Sequence, residues 1–79
     1  MKLPTIDVAE TGKHLKRMMK DKGITTKKLA EEMGIHITLI YRWFHGKNLP
    51  GTDNLLILSK VFGVPLEELL ITDDGGNQA

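Results

Sequence analysis

Residues 25–46 read TTKKLAEEMGIHITLIYRWFHG, and the spacing of their apolar side chains decides the fold. Leu29, Ala30 and Met33 share one face of a short helix that Thr25 or Thr26 can cap and Gly34 stops. Ile40, Trp43 and Phe44 mark the buried stripe of a second helix over residues 36–45, closed by Gly46. A tight glycine turn joins the two, which predicts a grooved two-helix unit. Ala30 has to be small where these helices cross, and Gly34 has to let the chain reverse.

Upstream, Asp7 and Glu10 have capping-box spacing ahead of a helix over residues 8–21, ended by Gly23 after a last turn rich in lysine. Gly12 is expected to weaken its first turns by about 1 kcal/mol relative to alanine, so that its ordered start falls at Val8 or nearer Thr11. Downstream, GKNLPG is a loop, and Thr52 or Asp53 starts a helix running to Gly63. Its sequence is apolar nearly all round, which predicts the central element of the core. Pro65 then opens a short fifth helix, LEELL, with Leu66, Leu69 and Leu70 turned inward or toward a partner. The expected organisation is one all-α domain over residues 1–71, with residues 1–6 a loose arm and residues 72–79, TDDGGNQA, a disordered tail. No strand and no internal repeat is expected.

Composition narrows the function. A chain of 79 residues holds a small core and has little room for a deep catalytic cleft. No nucleophile and base fall in a recognisable arrangement, so an enzyme is not expected. With no cysteine, and with His14, His36 and His45 too far apart for metal-ligand spacing, neither a metal site nor a cofactor is expected. The N-terminus lacks a signal-peptide pattern and the longest apolar stretch is too short to cross a bilayer, which predicts a cytoplasmic protein with no membrane partner. No small-molecule ligand is evident. The net charge of +1 conceals an asymmetry: residues 13–47 carry nine Lys or Arg against three acids, whereas residues 53–79 carry one Lys against five acids. A polyanion would be drawn to one part of the molecule only.

The helix of residues 36–45 turns a distinct set of side chains away from its buried stripe. At 100° per residue, Thr38 and Arg42 lie almost opposite Ile40, Trp43 and Phe44. Tyr41 and His45 flank them, Ile37 lies near the boundary, and Leu39 lies on the other flank. That face offers a hydroxyl, a guanidinium fork, a phenol and an apolar group able to meet a thymine methyl.

From about Leu15 to Leu70 the sequence resembles the phage-repressor (Cro/cI-like) helix-turn-helix family of bacterial regulators. The resemblance rests on Leu29, Ala30, Met33, Ile35, Ile40 and Trp43, on the turn glycine Gly34, and on HGKNLPGTDNLLILSKVFGVPLEELL downstream. It implies a five-helix repressor-like domain and a sequence-specific regulator of transcription, a repressor, that lays residues 36–45 in the major groove of double-stranded DNA. On that reading Ile37, Thr38, Tyr41 and Arg42 contact bases, while Thr25, Thr26, Lys27, His36, His45, Lys47 and Asn48 contact phosphates. The resemblance also implies a homodimer on the operator, meeting near the fourth and fifth helices at Leu66, Leu69, Leu70 and Ile71. The alternative is a protein-interaction adaptor with the same fold and little affinity for DNA.

Two departures from the family pattern stand out. Thr26 occupies a position where the family often has a phosphate-holding Gln. Met19 and Phe44 replace a commonly paired Arg and Glu between the first and third helices, and losing both charges together removes two desolvation penalties. Met19 and Phe44 are therefore expected to touch in the core.

Overall fold

The computed structural model describes residues 3–74. Four α-helices follow in order: α1 (Val8–Lys22), α2 (Thr26–Met33), α3 (Ile37–Phe44) and α4 (Thr52–Phe62). The expected fifth helix is a single 3-10 turn, Leu66–Leu69. Asp7 starts α1 by accepting the Glu10 amide, and Thr25 starts α2 by accepting the Lys28 amide. No side chain caps α4, whose N-cap is Gly51. Gly34 adopts the left-handed conformation, φ 65°, so that its own N–H reaches the Glu31 carbonyl and that of Ile35 reaches the Ala30 carbonyl. These bonds satisfy the last carbonyls of α2 and reverse the chain into α3.

The core is formed by Leu15 and Met19 of α1, Leu29, Ala30 and Met33 of α2, Ile40 and Trp43 of α3, Leu58 and Phe62 of α4, and Leu69. α1 against α3 is the most extensive helix pairing. The expectation that α4 is the central element is thereby corrected: Leu58 and Phe62 are buried, but Leu56, Ile57 and Val61 stand on its exposed side. An all-round apolar helix has no preferred face in its sequence, and here the neighbours cover only one.

Gly12 is the reason α1 and α3 approach so closely. It is buried inside an unbroken helix, and a Cβ built on it would stand 2.0 Å from the Trp43 carbonyl oxygen. The residue that weakens the helix locally is the one that lets two backbones meet.

The expected loose arm over residues 1–6 is also corrected at Thr5 and Ile6, while residues 1–2 lie outside the described residues. Thr5 donates its amide and its hydroxyl to the two carboxylate oxygens of Asp73, at 3.2 and 2.6 Å, and the Asp73 amide returns a bond to the Thr5 carbonyl at 2.8 Å. Ile6 and Thr72 form an antiparallel bridge, and the Asp7 amide donates to the Ile71 carbonyl. Beneath them the wholly buried Thr11 hydroxyl accepts the Ile71 amide at 3.0 Å and donates to the Ile71 carbonyl at 3.3 Å. The two edges satisfy each other's backbone groups, which a loose arm would leave to water. Of the expected tail, Thr72 and Asp73 belong to this clasp, and residues 75–79 lie outside the described residues.

The hydroxyl and then the amide of Thr5 hold the Asp73 carboxyl below its ordinary pKa of 3.8. A depressed folded-state pKa means that the clasp is at full strength above that ordinary value and weakens as pH falls through the folded one. Amide protection at Thr5 and Asp73, followed by NMR, is expected to drop selectively below pH 3.8 while that of α1 holds. Asp73→Asn should flatten this dependence. Protection at Thr5 that ignores pH over that range would contradict the assignment.

Candidate nucleic-acid interface

α3 presents Thr38, Tyr41 and Arg42 outward, all exposed, from a helix anchored by buried Ile40 and Trp43. The same helical period that seats the anchors sets the outward angles of these three side chains. Tyr41 is further held edge-on against Phe44, with ring centroids 6.3 Å apart and planes at 80°. Ile37 is half-buried and packs against the core, so only part of it faces outward. Thr38, Tyr41, Arg42, His45 and Lys47 line one continuous concave surface.

The ends of α3 carry the two histidines. His36 is its N-cap, its Nδ1 accepting the Thr38 amide at 3.2 Å. A neutral ring that accepts at Nδ1 carries its proton on Nε2, leaving a donor on the outer edge. His45, at the C-cap, donates from Nδ1 to the Tyr41 carbonyl at 2.8 Å. His14 donates from Nε2 to the Glu68 carbonyl, tying α1 to the 3-10 turn. Among the described residues no group of three His, Cys, Asp or Glu could hold a metal ion.

Beside α3 lies a concavity of about 570 Å³ lined by the apolar or aromatic Met19, Ile24, Tyr41 and Phe44 together with Lys16, Lys20, Thr25, Thr26 and His45. Met19 and Phe44 thus face the same space, Met19 being 3% exposed and Phe44 half-buried. No carboxylate lines it. Lys27, also expected at phosphates, is exposed on the first turn of α2, whereas Lys28 is engaged with Glu32 at 3.3 Å. The cations of α1 were counted in the basic stretch of residues 13–47 but were not among the expected contact residues. Lys13, Lys16, Arg17 and Lys20 line a single surface, and Lys16 and Lys20 reach the concavity beside α3. Their i, i+3, i+4, i+7 spacing was the available signal.

Asn48, expected at a phosphate, has its amide oxygen on Arg42: Arg42 Nε donates to Asn48 Oδ1 at 2.6 Å. Leu69 is fully buried and lost to any partner, while Leu66, Leu70 and Ile71 are partly buried. The larger exposed apolar surface is on α4. Among the described residues no helix is long and apolar enough to cross a membrane.

Two short helices joined at a left-handed glycine, the second turning polar and basic side chains outward, define a helix-turn-helix module. The chain belongs to the helix-turn-helix family, whose model matches residues 15–69. Over 61 residues it is 34% identical to the HTH-type transcriptional activator BcrR of Enterococcus faecalis, a match that covers 77% of this chain and 30% of that protein. The chain therefore spans less than a third of that relative's length. Its fold is similar to that of the restriction-modification controller protein C.AhdI from Aeromonas hydrophila (TM-score 0.73, 22% identity, 80% of this chain and 96% of that one). It is also similar to the hypothetical transcription factor NHTF from Neisseria (TM-score 0.72, 20% identity, 94% and 87%).

Proposed function

We propose that this chain is a sequence-specific regulator of transcription that lays α3 in the major groove of double-stranded DNA. The observation that carries the reading is the outward set of Thr38, Tyr41 and Arg42, bordered by Lys16, Lys20, His45 and Lys47 on surfaces lined by no carboxylate. The three central groups have the hydrogen-bonding capacity to read base edges, with the half-buried Ile37 offering a lesser apolar contact. The surrounding cations, together with the hydroxyls and amides of Thr25 and Thr26 and the side chains of Lys27 and His36, are suited to phosphates. Lys16 and Lys20 extend that set along α1.

Repression by occupancy is the simplest mode, because a bound protein excludes others from the same stretch of DNA. BcrR is named an activator, and the position of the site relative to a promoter would decide the direction. One α3 reads too few base pairs to single out a site in a genome, so a two-fold dimer on the operator is the proposed working form. The exposed Leu56, Ile57 and Val61 of α4, with Leu66 and Leu70 beside them in sequence, offer it a contact surface.

Selection of bound sites from random duplex DNA, followed by salt titration on the selected site, tests the reading. Two half-sites about one helical turn apart are expected. Arg42→Ala should cost about 1 to 3 kcal/mol on the selected site and little on random DNA. Lys47→Ala should weaken both and make the salt slope shallower by about one unit. A chain with no salt-dependent affinity for duplex DNA would instead be a protein-binding adaptor.

A further inference from the structure

We propose that Asn48 is a positioning residue that selects which edge of the Arg42 guanidinium meets a base, an inference that rests on the DNA reading for its consequence but not for its geometry. A guanidinium can grip two acceptors side-on, through Nε and one Nη, or end-on, through both Nη groups. Here Nε is already committed to Asn48 Oδ1 at 2.6 Å. Only the end-on fork remains, and among the described residues no bond engages its two nitrogens.

The loop holding Asn48 is itself fixed to α3. The Gly46 amide donates to the Trp43 carbonyl at 3.1 Å, and the Lys47 amide donates to the Arg42 carbonyl at 2.9 Å. The acceptor for Nε is thus carried by a turn bonded to the backbone of Arg42 itself. An arginine otherwise free in solvent loses considerable rotamer freedom when it binds, and a side chain already held loses less.

Asn48 also keeps its amide NH2, whose two donors no described bond uses, directed away from the atom that holds Arg42. A phosphate taken by that NH2 would fix the Asn48 side chain and, through Oδ1, the guanidinium. Backbone contact and base reading would be coupled in one residue.

The test uses the 79-residue chain. In the free protein, solvent exchange of the Arg42 Nε proton, read by NMR, is expected to be about tenfold slower than that of exposed Arg17, the scale of one net hydrogen bond. Asn48→Ala should remove that difference and reduce the ratio of selected-site to random-DNA affinity by roughly fivefold to tenfold, part of what the whole Arg42 contact supplies. Asn48→Asp keeps an acceptor for Nε, and so should keep both the slow exchange and the ratio while weakening binding to all DNA through its added charge. In an Arg42→Ala background, Asn48→Ala should leave the ratio where it was. Exchange at Arg42 as fast as at Arg17, or an unchanged ratio in Asn48→Ala, would overturn the proposal. Slow exchange in a chain with no affinity for duplex DNA would overturn the DNA reading and support the Arg42 and Asn48 pairing alone.

Discussion

Gly12→Ala is expected to destabilise the domain by about 3 kcal/mol or more, against the direction that helix propensity alone gives. In a solvated helix the substitution would gain about 1 kcal/mol. Here the new Cβ would stand 2.0 Å from the Trp43 carbonyl oxygen and 3.0 Å from that of Phe44. Both obstacles are backbone, so no side chain can swing aside, and α1 must move off α3 as a body. Overpacking a close-packed interior typically costs about 1 to 3 kcal/mol, and a rigid obstacle puts this site at or beyond the upper end. For a domain of this size each kcal/mol lowers Tm by roughly 4 to 8 °C. Thermal unfolding followed by circular dichroism should therefore show a fall well above 10 °C. An unchanged or raised Tm would mean that the helices are farther apart than described.

The second large effect concerns the two apolar residues beside that crossing. Met19→Arg places a charge at a position 3% exposed with no carboxylate lining the adjoining concavity, and an uncompensated buried charge costs about 3 to 5 kcal/mol. Phe44→Glu should cost less, because Phe44 is only half-buried and Lys16 and Lys20 line the same concavity. Much of its loss would be packing, including the edge contact with Tyr41. Combining the two substitutions should recover a large part of the Met19→Arg loss, since each charge then faces its opposite. Urea denaturation of the two single variants and the double variant measures this coupling. Strict additivity would show that residues 19 and 44 do not interact across the concavity.

The order and boundaries of α1, α2 and α3 were legible because each helix end carries a local signal. Asp7 and Thr25 cap by side chain, and Gly23 and Gly34 take the left-handed turn. The outward face of α3 was legible for the same reason, since 100° per residue follows from knowing Ile40 and Trp43 as anchors. Relations between distant residues were not. Thr5 and Asp73 are 68 positions apart, and nothing local to either announces the other. Gly12 reads as a propensity penalty until the Trp43 carbonyl is seen against it. The 3-10 turn is too short for periodicity to separate it from an α-helix. The bond from Arg42 to Asn48 crosses a loop whose path the spacing of side chains does not specify.

The clasp between Thr5 and Asp73 also has a topological consequence. Because these residues exchange hydrogen bonds, two positions 68 apart in the chain meet at one spot on its surface. A peptide linker of a few residues would span the gap between positions 5 and 73 at little loop-closure cost, so the chain can be closed there and opened elsewhere as a circular permutant. A cargo domain or immobilising tag joined directly at position 5 or at position 73 would project from the same spot, so moving the attachment from one to the other would leave the anchor point relative to α3 nearly unchanged.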